Sequence, residues 1–221
     1  MKILIGGDSW GCGEWGYYDG DHITGKYGIL HSGLEYYLRA DNHTVINTSL
    51  GRSSNYESIV RLKTHLDCDT IFWFQSDPLR DCEINCKTFD EVVELNTNTL
   101  FQNYIALNSL DKTIHVIGGC GKINIDMISQ FRNLNPLIES VPQFLYPDFV
   151  HPDIWISDFV WDALYNTLDN NMLSQLLERK KIVDSMHDGK YYKYFQPDGR
   201  HPNRLGHQKI YEFIKIRLEK L

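Results

Sequence analysis

The sequence predicts an α/β domain built on a parallel sheet, and three observations carry that prediction. Short apolar runs alternate with amphipathic segments of helix length, the pattern of successive βαβ units. Residues 70–74 form an almost uninterrupted apolar run, Ile71-Phe72-Trp73-Phe74 after Thr70, as expected of a strand covered on both faces. Hydrophobic residues make up 42% of the chain and charged residues 23%, an ordinary globular balance.

The elements follow in order. Residues 2–5 read as the first strand. Residues 30–39 read as a helix, with Leu30, Leu34, Tyr37 and Leu38 on one face. A second strand at 44–47, a helix at 56–65 and the third strand at 70–74 come next. Residues 89 to about 110 form a long helix, and 113–117 a fourth strand that Gly118-Gly119 ends. Residues 121–158 hold four of the seven prolines (136, 142, 147 and 152), which predicts irregular structure with one short strand near 153–156. Residues 159 to about 184 return to helix, and a last helix spans 202–221, with Ile210, Phe213, Ile214 and Leu218 facing the core. Without an internal repeat or linker, residues 1–221 read as a single domain.

Composition narrows the function classes. A formal charge of −7 argues against a general nucleic-acid binder, which needs a basic face. The five cysteines (12, 68, 82, 86 and 120) are odd in number and lack a framework rhythm, so reduced thiols are expected. Cys82 and Cys86 lack the second half of a zinc site, and no metal is expected. No leader pattern precedes Ile3-Leu4-Ile5, and no apolar run nears the roughly 20 residues of a membrane span, so a soluble, cytoplasm-like protein is expected.

The opening stretch MKILIGGDSWGCGEWG supports two readings. Gly11, Gly13 and Gly16 fit G-x-G-x-x-G, the dinucleotide fingerprint. Its context fails. The motif starts several residues after the strand, no helix-forming sequence follows Gly16, and Asn47-Thr48 stands where an acidic residue should hold the ribose. The other reading places Ser9, in Gly7-Asp8-Ser9, at a strand end as a nucleophile. A hydroxyl nucleophile needs a base and a group that orients the base. The stretch QPDGRHPNRLGHQ supplies both: Asp198 lies three residues before His201, within reach of its Nδ1.

Together, Gly7-Asp8-Ser9, Gly51, Ser76-Asp77 and Asp198-x-x-His201-Pro202 resemble, in order and separation, the four signature blocks of the SGNH (GDSL-type) hydrolases. The resemblance implies a flavodoxin-like three-layer α/β/α sandwich and an esterase that needs no cofactor. It further implies Ser9 as nucleophile, His201 as general base and Asp198 as its orienting partner. The oxyanion hole would take the backbone N–H groups of Ser9 and Gly51. The third block departs from the family, which carries Gly-x-Asn-Asp where this chain has Phe74-Gln75-Ser76-Asp77. Ser76 then stands as the third oxyanion donor, with Gln75 the alternative.

Each functional residue has a plainer reading. Ser9 alone would serve as a turn cap, His201 as the N-cap of the last helix, and His207 as packing. Arg80 either grips an anionic substrate group or pairs with Asp77 or Asp81. Trp10 and Asp77 are substrate-binding candidates, and Trp10, Trp15, Tyr17 and Tyr18 either line an acyl or sugar pocket or pack the 10–25 loop. The expected function is a serine-dependent ester hydrolase of esterase, acetylesterase or carbohydrate deacetylase type, acting on a small-molecule or glycan ester. The competing expectation is a catalytically impaired module of the same fold that binds carbohydrate or serves in assembly.

Overall fold

In the computed structural model, which describes residues 1–18, 26–165 and 170–219, seven strands form two sheets. They are β1 (Lys2–Gly6), β2 (Glu14–Tyr17), β3 (Tyr27–His31), β4 (Thr44–Asn47), β5 (Thr70–Gln75), β6 (Ile114–Gly118) and β7 (Leu134–Ile138). Five of them make a parallel sheet in the order β4-β1-β5-β6-β7, while β2 and β3 pair as a separate antiparallel hairpin. Taken as sheet strands alone, this is the flavodoxin-like order. The chain passes outward from β1 to β4, then crosses back over β1 to β5. The carboxyl ends of β1 and β5 therefore flank a switch point, where the crevice of such a sheet opens.

Helices cover both faces, giving three layers. Ile3 and Ile5 of β1 and Phe72 and Phe74 of β5 meet α2 (Leu34–Ala40), α6 (Val141–Leu145) and α9 (Arg204–Leu218). Leu4, Ile71 and Trp73, one position out of step, meet α3 (Asn55–Leu62) and α4 (Phe89–Asn108) on the other face. Strict alternation is what the pleat requires, and all six residues of β5 are buried. Each large apolar side chain buried there contributes about 2–3 kcal/mol. Trp73 satisfies its indole N–H on Ser58 Oγ at 3.1 Å.

Five expectations are corrected. Residues 30–33 are not helical: β3 ends at His31, and α2 starts only after Gly33, whose φ of +54° breaks the helical path. The 121–158 region is more regular than its prolines suggest. It holds α5 (Ile125–Ile128), β7 and α6, and Pro136 is tolerated because β7 is an edge strand paired on one side. Residues 153–156 are loop rather than strand, with Ile154, Trp155 and Ile156 buried and Asp153 exposed. The 159–184 segment is two helices, α7 (Asp158–Tyr165) and α8 (Asn170–Asp184), with 166–169 outside the described residues. Asn203, not His201 or Pro202, opens α9, its side chain accepting from the Gly206 amide at 3.0 Å. Among the described residues no helix is long and apolar enough to cross a membrane.

Candidate active site

The Ser9 turn begins where β1 ends. Gly7 has φ +141°, and a Cβ there would lie 2.7 Å from both Cβ and the carbonyl oxygen of Phe74, so only glycine lets the strand turn under β5. Asp8 then caps a single helical turn, α1 (Ser9–Cys12), accepting the Trp10 amide at 3.0 Å. Ser9 stands at the first helical position, half-buried, where its own N–H has no intrahelical acceptor. Asp8 is fully buried. Its other carboxylate oxygen receives Ser76 Oγ at 2.8 Å and lies 3.7 Å from Arg80 Nη1. Burial pushes the Asp8 carboxyl up, against the pull of Arg80 and of the Ser76 hydroxyl.

The second component is the loop before α9. His201 Nδ1 lies 2.7 Å from Asp198 Oδ2, while Asp198 Oδ1 accepts the amides of Arg200 at 2.9 Å and His201 at 3.2 Å. Gly199, with φ +62°, allows the tight turn that brings the two side chains together. Burial alone would raise the Asp198 carboxyl. Hydrogen bonding and charge from His201, with the Tyr27 hydroxyl and the Arg200 amide, outweigh it and hold the group at about 2. A carboxylate fixed on Nδ1 leaves Nε2 as the free ring nitrogen.

Trp15, on the hairpin, joins these parts. Its indole N–H donates to the Ser9 carbonyl at 2.9 Å, its ring centroid is 5.8 Å from that of His201, and a Cβ on Gly51 would touch its outer edge at 3.0 Å. Ser9, Gly51 and His201 thus surround one indole. Among the described residues the His201 ring bonds to Asp198 and Tyr27, and no hydrogen bond links it to Ser9 Oγ. The Gly51 amide faces the Cys12 thiol, which burial raises to about 12.

Other expected site residues have different roles. Ser76 is 1% exposed and gives its one hydroxyl proton to Asp8, so it braces the Ser9 turn and is not a free oxyanion donor. Gln75 is also turned inward, accepting from the Tyr104 hydroxyl at 2.7 Å and donating to the Lys122 carbonyl at 3.0 Å. Asp77 is buried and engaged: it caps the turn at Pro78–Asp81 through the Leu79 amide and accepts from Ser157 Oγ at 2.8 Å, and burial raises it to about 6. Trp10 packs edge-on against Trp155 and Phe195 in the core. Arg80 is engaged by Asp8 and by Ser76 Oγ at 3.3 Å. Of the 10–25 loop, residues 19–25 lie outside the described residues.

Two contributors escape the sequence reading. Asn55 clamps the backbone of Ser76 from both sides, accepting its N–H at 2.7 Å and donating to its carbonyl at 3.2 Å. The Ser54-x-x-Glu57 capping box, which places Asn55 at the first position of α3, is the one signal that points there. Tyr27, whose hydroxyl reaches Asp198 Oδ2 at 2.5 Å, sits on a strand that the helical reading of 30–39 obscured.

No protein-family model matches the chain, and no curated protein matches it in sequence. Among solved structures it is similar to the YxiM protein of Bacillus subtilis, at 11% identity and a TM-score of 0.47, over 100% of this chain and 56% of that one. It thus spans little more than half of that relative's length. A lipase from a goat-rumen metagenome aligns at 14% identity and TM-score 0.46, over 98% of this chain and 96% of the other. An acetylxylan esterase of Geobacillus stearothermophilus aligns at 15% identity and TM-score 0.38, over 96% and 91%.

Proposed function

We propose that the chain is an SGNH-type ester hydrolase with Ser9 as nucleophile, His201 as general base and Asp198 as the group that orients it. The observation that carries this reading is the Asp198–His201 pair, held at 2.7 Å beside the indole that also grips the Ser9 turn. Ser9 Oγ attacks the ester carbonyl and passes its proton to His201 Nε2. The N–H groups of Ser9 and Gly51 stabilise the oxyanion; sulfur is a weak acceptor, so Cys12 yields the Gly51 amide to a developing charge. His201 protonates the leaving alcohol, then takes a proton from the water that releases the acyl group from Ser9. Hydrogen bonds between nucleophile and base often form fully only in the Michaelis complex. Arg80, paired with Asp8 at the base of the Ser9 turn, is the candidate to hold an anionic substrate group.

The engagement of Ser76 by Asp8 favours a second reading, in which the hole is too weak for turnover and the fold binds carbohydrate or serves in assembly. A fluorophosphonate probe separates the two. Covalent labelling of wild type but not of Ser9→Ala supports the hydrolase; equal labelling, or none, sinks it. Glycan binding that survives His201→Ala, without turnover of p-nitrophenyl acetate or acetylated glycans, would select the binding module.

A further inference from the structure

Tyr27 adds a phenol to the Asp198–His201 pair from a part of the chain remote in sequence. Its hydroxyl lies 2.5 Å from Asp198 Oδ2 and 3.2 Å from His201 Nδ1. The hairpin that carries it is anchored on both sides of that loop: Glu14 accepts from Gln196 at 2.8 Å and from Arg204 Nε, at the start of α9, at 3.3 Å. Trp15 stacks on Tyr27 with ring centroids 5.9 Å apart. We propose that Tyr27 is a positioning residue for the general base, fixing the His201 tautomer and tempering the charge of Asp198. This rests on the hydrolase reading above.

The proton count decides the geometry. The carboxylate can only accept, so the single Tyr27 proton points to Asp198 Oδ2. The lone pairs of the Tyr27 oxygen then face His201 Nδ1, alongside those of Asp198. A bare Nδ1 would meet two acceptors and be repelled by both, so Nδ1 carries the proton and Nε2 is left as base. Burial and the neighbouring Asp198 raise the phenol far above its usual range, so it remains a donor.

Tyr27 also acts on charge. By donating to Asp198 it withdraws electron density from the group that stabilises an imidazolium. Its oxygen helps that imidazolium a little as an acceptor, but the 2.5 Å charge-assisted bond outweighs the 3.2 Å contact. Other ionisable groups facing the pair are Tyr17 on β2, Arg200 on its own loop, Asp8 after β1 and His207 on α9. All of these are retained in Tyr27→Phe, which also keeps the ring that packs on Tyr17.

The test is Tyr27→Phe, which removes one oxygen from a side chain 39% exposed, with Tyr27→3-fluorotyrosine as a second variant whose phenol is a stronger donor. The pH profile of kcat/KM on p-nitrophenyl acetate is followed for both, together with the ¹⁵N resonances of the His201 ring. For Tyr27→Phe the acid limb moves to higher pH by about half a unit, and kcat falls about 10-fold with KM little changed. For the fluorinated variant the limb moves the opposite way. A role in packing alone moves neither limb in a signed manner, and unchanged profiles overturn the proposal. If wild type turns over no ester, the hydrolase reading fails. The ring resonances then decide the Tyr27 proposal by themselves: a changed Nδ1 environment in Tyr27→Phe sustains it and an unchanged one overturns it.

Discussion

The indole N–H of Trp15 donates to the main-chain carbonyl of Ser9 at 2.9 Å. That one bond ties the turn after β1 to a hairpin that also leans on the His201 loop through Glu14. The two ends of the chain are therefore joined through an inserted element as well as through Trp10 against Phe195, and among the described residues no hydrogen bond links Ser9 to His201.

Trp15→Phe keeps an aromatic ring but deletes the bond. The Ser9 carbonyl is left without this donor, and the smaller ring withdraws from Gly51. A stability loss of about 1 kcal/mol is expected, read as a lower urea midpoint. On the proposed hydrolase reading, the rate of fluorophosphonate labelling at Ser9 falls about 10-fold, because the Ser9 turn and the His201 loop are no longer held in one frame. Loss of stability with an unchanged labelling rate would show that Trp15 only packs.

Ser76→Ala asks whether the third block serves the oxyanion or the scaffold. As a brace, the hydroxyl satisfies a buried Asp8 oxygen, and its removal costs about 2 kcal/mol of stability while kcat drops less than about 10-fold. As an oxyanion donor, its removal would cost about 100-fold or more in kcat with little change in stability. Urea denaturation and steady-state kinetics on one preparation distinguish the two.

The sheet was legible because parallel strands covered on both faces leave dense apolar runs, as at 70–74. The Asp198–His201 pair was legible because a short spacing in sequence sets its geometry. The hairpin was not. Residues Leu30, Leu34 and Leu38 fit a helical period by themselves, and only the pairing of Tyr27 with Tyr17 and Ile29 with Trp15 shows that β3 is a strand. The role of Ser76 was hidden for a related reason. Its partners Asp8, Asn55 and Arg80 come from separate stretches of chain, so whether its hydroxyl faces the crevice or the interior depends on contacts that no local pattern records.

Asp77 gives a signed prediction about stability and pH. Burial holds its folded carboxyl at about 6, against an ordinary 3.8, with Arg80 and the Ser157 hydroxyl opposing the rise. A raised carboxyl binds its proton more tightly in the folded state. Its contribution is fully present below pH 3.8 and is lost as pH rises through about 6. Asp77→Asn retains an acceptor for the Leu79 amide and a polar contact for Ser157, but cannot ionise. At pH 3.5 the variant and wild type should therefore be nearly equal in stability. By pH 7 the variant should be the more stable, by up to about 3 kcal/mol. Asp198, held at about 2, pulls the other way at acid pH, but it is present in both proteins and cancels in the difference. Urea midpoints of the pair measured from pH 3.5 to 7 test this, and a difference that does not vary with pH would rule out a buried Asp77 carboxyl with a raised pKa.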